Sequence, residues 1–314
     1  MPGPSRLLTA LAAALGAAAV LASATGCSGS AGAAPATHAP APTPTVTDRL
    51  DLRLPLADHL LTPQARRDLD RAARKLVDQC MRRFGFALAD DPVVAGSDPT
   101  TPARMRYGVT SAQQARTTGY HAAPADPGRS ATPTATPGPR NTDPGYLLVL
   151  RGNGTAGTNG GTPAPHGSRT VPPGGCTGEM TKELSGRAVF LGDPPLVREI
   201  DAKGFAESQR TPAVQEAFRG WSACMLASGF HYGTPLDAAA DPAFAGESPG
   251  RGEQRTAEAD VACKQRGNVV GIWFAAEVDR QHALMAGHED ELRTIGIQLQ
   301  EQAVRVDGTL NTAG

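Results

Sequence analysis

The stretch Cys80-Met81-Arg82-Arg83-Phe84-Gly85-Phe86 returns later in the chain as Cys224-Met225-Leu226-Ala227-Ser228-Gly229-Phe230. The shared pattern is Cys-Met-x-x-x-Gly-Phe. Thr-Pro precedes each copy, at Thr62-Pro63 and Thr211-Pro212, although the distance from Thr-Pro to Cys differs between them. Each Thr-Pro reads as an N-cap hydroxyl followed by a proline at the first helical position. Gly85 and Gly229 fit the left-handed residue that ends a helix. Upstream of the first copy, Leu69, Ala72, Ala73, Leu76, Val77, Cys80, Met81 and Phe84 recur at steps of three and four. That spacing predicts an amphipathic helix, with Arg66, Arg67, Arg71, Arg74 and Lys75 on or beside its other face. Val214, Phe218, Trp221, Cys224 and Met225 make the matching stripe of the second copy. Both cysteines lie on the apolar stripe, where a disulfide to a neighbouring helix would be buried. Met81 and Met225 read as core filling rather than as a thioether metal pair.

A further cysteine follows each copy: Cys176 after the first and Cys263 after the second. Four cysteines of an exported chain make two disulfides, with three connectivities open. Two related halves that each close their own loop predict Cys80–Cys176 and Cys224–Cys263. Zinc is the weaker reading, because no Cys-x-x-Cys or Cys/His ligand spacing is present.

Export is read from the N-terminus. Arg6 precedes an Ala/Leu-rich run over residues 7–20, and Leu21-Ala22-Ser23-Ala24-Thr25-Gly26 leads to Cys27. This resembles a bacterial lipoprotein signal, which would be removed at residues 1–26. The resemblance implies a diacylglyceryl thioether on Cys27, a lipid (palmitate-type) membrane anchor. The alternative is an ordinary signal peptide cut near Ala24 with Cys27 a free thiol. The apolar run is too short and too Ala-rich for a membrane span of ~20 residues. Residues 28–47 are rich in Ala, Pro, Thr and Ser and read as a disordered tether, reaching on the order of 60 Å at ~3.1 Å per residue.

With 30 basic and 31 acidic side chains, the chain is no nucleic-acid binder by bulk electrostatics. Residues 48–121 read as a first helical half. Residues 122–175 read as a low-complexity insert, its flexible stretches flanking one strand candidate, Tyr146-Leu147-Leu148-Val149-Leu150. Such Gly/Pro/Thr-rich stretches bury too little apolar surface to offset chain entropy. Residues 176–314 read as a second helical half. The whole is mainly α, a disulfide-stapled helical domain of two loosely related halves. Thr110 is expected to cap a short helix ended by Gly119, and Thr256 to open a helix through Cys263. Residues 269–304 carry the longest periodic stripe, which Gly287 or Gly296 would bend or end. Ala188-Val189-Phe190-Leu191 is a second strand candidate.

Motifs with chemistry are scarce. No Gly-x-Ser-x-Gly elbow, phosphate-binding loop or dinucleotide glycine pattern occurs. Ser222 beside Trp221 has no evident His/Asp partner. His282 and His288 miss the i,i+4 step of a helical metal pair, and with Glu289 they read as solvated residues. Gly119-Tyr120-His121 echoes Gly229-Phe230-His231 and reads as packing and capping. Glu277 and Asp279 read as exposed helix charges. A carboxylate drawn into the apolar stripe would instead have a raised pKa. The Arg66–Arg83 cluster could meet anionic lipid or wall polymer, but Asp68, Asp70 and Asp78 balance it as a solvated face.

The chain resembles a loose group of secreted actinobacterial lipoproteins without assigned function. The residues that carry this are Cys27, Cys80-Met81-x-x-x-Gly85-Phe86, Tyr107-Gly108-Val109-Thr110, Gly119-Tyr120-His121, Gly174-Gly175-Cys176, Cys224-Met225-x-x-x-Gly229-Phe230 and Asp260-x-x-Cys263. The resemblance implies a lipid-anchored, disulfide-bonded helical module on the extracytoplasmic face of the membrane. It brings no catalytic residue, metal or cofactor. A non-catalytic interaction or accessory module, docking on an envelope protein or wall polymer, is the expected function. A lipid-anchored binder of a small solute is the alternative, and an envelope enzyme a third.

Overall fold

The computed structural model describes residues 40–46, 52–88, 106–121, 143–154, 162–185, 191–246 and 248–312. Cys27 and the segment 1–26 lie outside them. The duplicated motif forms the ends of two long helices, α1 (Pro63–Arg83) and a second over Pro212–Ala227. In each copy the Gly takes positive φ, 83° at Gly85 and 87° at Gly229. In each copy the Phe amide donates to the Met carbonyl, at 3.1 Å (Phe86 to Met81) and 2.9 Å (Phe230 to Met225). The Gly amides donate to Arg82 and Leu226, both at 3.0 Å. This is the Schellman pattern, which satisfies two orphan carbonyls and brings the residue after Gly onto the last turn. The motif is therefore a helix terminator that also presents a cysteine one residue before a buried methionine.

Between and after these helices run α2 (Ala112–Thr118), α3 (Pro144–Arg151), the antiparallel hairpin β1 (Ala164–His166) and β2 (Arg169–Val171), α4 (Gly175–Ser185) and α5 (Pro195–Ser208). The Pro212–Ala227 helix is α6. It is followed by α7 (Pro235–Ala239), α8 (Arg251–Arg266), α9 (Val269–Met285) and α10 (Glu289–Asn311), and a 3₁₀ turn over Pro55–His59 precedes α1. Cys80–Cys176 ties α1 to α4 and Cys224–Cys263 ties α6 to α8, with Cα atoms 5.6 and 5.7 Å apart. The expected pairing holds. On the chain-entropy model loops of 96 and 39 residues are worth about 4–5 kcal/mol each.

Each disulfide sits in its own core. Leu69, Val77, Met81, Val149, Met180 and Leu184 surround the first, together with Val306 from the far end of α10. Val214, Phe218, Trp221, Met225, Val261 and Trp273 make the second, joined by Tyr107, Val109, Ala115 and Tyr120. A smaller cluster of Leu56, Val197, Ile200, Leu292 and Ile295 brings the 3₁₀ turn, α5 and the start of α10 together. Residues 106–121, read with the first half, thus pack in the second core.

Several local expectations are corrected. Tyr146–Leu150 is helical, not a strand. The Asp143 carboxylate accepts from the amides of Gly145 and Tyr146, Pro144 opens the helix, and Tyr146 and Val149 bury one face. Part of the 122–175 insert is ordered: residues 162–175 hold the hairpin, and Val171 is fully buried. The strand candidate at 188–191 falls mostly outside the described residues. The long stripe over 269–304 breaks at Gly287 (φ 87°) into α9 and α10, while Gly296 stays inside α10. Ser111, not Thr110, caps α2, and α8 starts at Arg251, before Thr256. The Thr211 hydroxyl donates to the Ser208 carbonyl and caps nothing.

The tether reading is also revised for its last residues. Residues 40–46 lie on α9. The Ala41 amide donates to Asp279 (2.7 Å), the Val46 amide to the Asn268 side chain (3.2 Å), and the Asn268 side-chain amide to the Pro44 carbonyl (2.9 Å). Burial of Val46 in the second core completes the attachment.

The positive φ at Gly229 and open space around Gly220 give a paired prediction. Gly229→Ala will destabilise the protein by about 1 kcal/mol, because an L side chain is strained in the left-handed region. Gly220→Ala, on the exposed face of α6 with nothing near its Cβ position, will stabilise it by about 0.5–1 kcal/mol. Urea unfolding of the two variants checks both signs.

Candidate functional site

The motif residues Tyr107 to Thr110, Gly119 to His121 and Asp260 come together around the second core, whereas Gly174-Gly175-Cys176 lies in the first. Asp260 of α8 is fully buried. Its Oδ1 accepts from the Trp221 indole at 2.9 Å. Its Oδ2 accepts from Lys264 Nζ at 2.8 Å and from the Tyr120 hydroxyl at 3.3 Å. Lys264 lies one turn along α8 and also donates to the Val109 carbonyl at 2.9 Å. A Cβ on Gly108 would sit 2.8 Å from that ammonium, so the absence of a side chain there makes room for the pair. Burial pushes the Asp260 carboxyl up. The Lys264 ammonium, and then the Trp221 and Tyr120 donors, oppose the shift.

Glu253, about two turns nearer the N-terminus of α8, forms a second cluster. Its Oε1 accepts from the Tyr120 amide (2.7 Å) and lies 2.8 Å from His121 Nδ1. His121 Nε2 lies 2.7 Å from the Gly246 carbonyl. Both ring nitrogens face acceptors, so only the doubly protonated ring satisfies both. The Gly246 carbonyl and the Glu253 carboxylate accordingly raise the His121 pKa. Gly119 is pressed against Glu253, 2.5 Å from the position a Cβ would take.

Glu277 of α9 anchors a third cluster. The sequence favoured an exposed charge there, but Glu277 is fully buried. Its Oε1 accepts from Arg106 Nε at 2.6 Å and its Oε2 from the Tyr107 hydroxyl at 2.7 Å. Arg106 also binds Asp201 of α5 (2.8 Å) and stacks over the Phe205 ring. Fully buried Gln281 links Asp201 to the Leu56 amide. Burial raises the Glu277 pKa, against the pull of Arg106 and Tyr107. The stripe on α9 hid this: Glu277 sits one turn after Trp273, and only a distant Arg could make its burial tolerable.

These clusters bind themselves. The buried side-chain atoms without a partner among the described residues, His59 Nδ1 and Gln302 Oε1, lie outside them. Asp279, by contrast, is half-buried and accepts from Ala41. Ser222 donates to the Tyr232 carbonyl at 2.6 Å. His231 is exposed, so its echo of His121 ends at the sequence. His288 faces Glu291 at 3.5 Å, and Glu289 accepts from the Gly287 amide. Among the described residues no three His, Cys, Asp or Glu side chains are grouped to hold a metal ion. Five of the six α1 arginines form ion pairs, Arg66 with Asp193, Arg71 with Asp68, Arg74 with Asp70, Arg82 with Asp78 and Arg83 with Glu179, and Arg67 donates to the Gln64 side chain. Beside the first disulfide, Arg83, Phe84, Arg169, Thr170, Pro172 and Glu179 line an open concavity of about 320 Å³. No protein-family model, curated protein or solved structure matches the chain.

Two outcomes follow from the closed clusters. Lys264→Met will cost about 3–5 kcal/mol, because it leaves Asp260 buried without its cation. In the Asp260→Asn/Lys264→Met double variant the loss will be smaller than the sum of the single losses, as urea unfolding will show. His121 supplies a pH dependence. Its folded pKa is raised, so its contribution is complete below the unfolded value of ~6.5 and is lost as pH rises through the folded value. The melting-temperature gap between the wild type and His121→Gln will be wider at about pH 5.5 than at about pH 8.5.

Proposed function

We propose that this chain is a lipoprotein held at the extracytoplasmic face of the membrane through Cys27, where it acts as a non-catalytic interaction module of the cell envelope. The observation that supports the reading most is the closed state of its ionisable residues. Asp260, Lys264, Glu253, Glu277 and Arg106 are buried or nearly so, and each is bonded to others in the core. Catalytic carboxylates and bases need an approach for substrate and a reactive lone pair or proton. Here those lone pairs serve packing.

The two disulfides point to an oxidising, extracytoplasmic compartment. No helix among the described residues is long and apolar enough to cross a membrane. A lipid on Cys27 would supply the attachment, and two acyl chains anchor where one binds only marginally. The resemblance of the short motifs to secreted actinobacterial lipoproteins agrees with this reading. The partner class is an envelope protein or a wall polymer.

Metabolic labelling with a clickable palmitate, then crosslinking in cells and mass spectrometry of captured chains, tests the proposal. The wild type will carry the label, fractionate with membranes and recover a reproducible envelope partner. Cys27→Ala will lose all three. A labelled protein that recovers no partner would defeat the interaction reading, and an unlabelled one would defeat the anchor.

A further inference from the structure

We infer that residues 40–46 are a strap built to seat on α9, so that the domain is held close to the bilayer rather than on a long free tether. The strap itself rests on the contacts below. Only its membrane end rests on the lipid-anchored reading above.

Three features at the start of α9 and along it hold this segment. Asn268 stands at the start of α9 in the left-handed conformation (φ 46°), the one non-glycine residue with positive φ among those described. Its side chain makes no cap for the helix. It accepts from the Val46 amide and donates to the Pro44 carbonyl, as one rung of a strand would. Asn tolerates that backbone better than other L residues, at a cost the two bonds offset.

Gly271 is the second feature. A glycine in a helix interior is disfavoured relative to Ala. Here the Pro44 carbonyl passes so close that a Cβ would overlap it. The third is Asp279, two turns further along, whose carboxylate accepts from the Ala41 amide at 2.7 Å. Asn268, Gly271 and Asp279 thus hold successive points of one extended segment, and Val46 seals its end in the core beside Val269 and Trp273. Prolines at 40, 42 and 44 have no amide to satisfy, which suits a segment held by only a few bonds.

The consequence is a length. A chain spans at most ~3.3–3.6 Å per residue, so residue 27 lies within about 45 Å of a strap seated from residue 40. With the strap unseated, the limit to residue 52 is about 85 Å. The seated strap therefore restricts partners of the domain to surfaces near the membrane.

Amide exchange measured by NMR on the soluble Cys27→Ala protein tests the strap. The Ala41 and Val46 amides will exchange at least tenfold more slowly than in an unstructured peptide of the same sequence. Asn268→Gly keeps the backbone conformation and removes the clamp. Gly271→Val blocks the seat. Each will return both amides to peptide-like rates while far-UV circular dichroism stays unchanged. Peptide-like rates in the parent protein would overturn the strap. The spacing is read separately, from lipidated protein on vesicles that carry a dansyl lipid, with Trp221 and Trp273 as donors. Energy transfer will fall in Asn268→Gly. Equal transfer would overturn the spacing role, and failure of the parent to bind vesicles would overturn the anchor while leaving the amide result to decide the strap.

Discussion

A carboxylate placed in the middle of an apolar core dictates much of what surrounds it. Asp260 can stay there only if donors reach it, and they come from three different parts of the chain: Trp221 of α6, Lys264 of α8 itself, and Tyr120 at the end of α2. Desolvating an ion costs several kcal/mol, so the pairing is needed to make the core viable. Lys264 then needs a further acceptor, which Val109 supplies. That draws residues 106–121 into the core of the second half. Once there, Tyr107 and Arg106 satisfy Glu277 and reach Asp201. The three clusters behave as one chain of requirements, each carboxylate fixing the next strip of backbone.

The disulfides play a different part. Each lies next to a Schellman terminator, so the sharp end of the helix sets where the cysteine points. Met81 and Met225, both fully buried, accept the Phe amide and fill the space beside the sulfur. The Cys80–Cys176 bridge is wholly buried, whereas Cys224 is partly exposed and has Arg266 against its sulfur at 2.9 Å. The same seven-residue device serves two cores whose other residues differ.

Much of this could be read from the amino-acid pattern. The repeat gave the cysteine pairing because a helix terminator and a buried stripe are both local features. The apolar periodicity gave α1 and α6 for the same reason. What escaped depended on partners distant in the chain. Tyr146–Leu150 has strand-like composition, but Asp143-Pro144 caps it as a helix and α4 covers it. Glu277 looked like a solvated charge because its neutralising Arg106 is far away in sequence. Residues 40–46 looked like free tether because the feature that holds them, a glycine and an asparagine on α9, carries no signal of its own. The motif residues Tyr107, Gly108, Gly119, Tyr120, His121 and Asp260 could be picked out in the sequence, but only the fold shows that they meet.

The buried ionisable residues of this chain hold it in shape. The Trp221 indole proton reports on this most directly, since it is donated to Asp260 and would meet water only if the cluster opened. Its hydrogen exchange, followed by NMR across a range of urea below the transition, should track global unfolding with the full denaturant dependence. Exchange within seconds in the absence of urea, insensitive to denaturant, would show that water enters the Asp260 cluster in the native state, and would contradict the closed-core account.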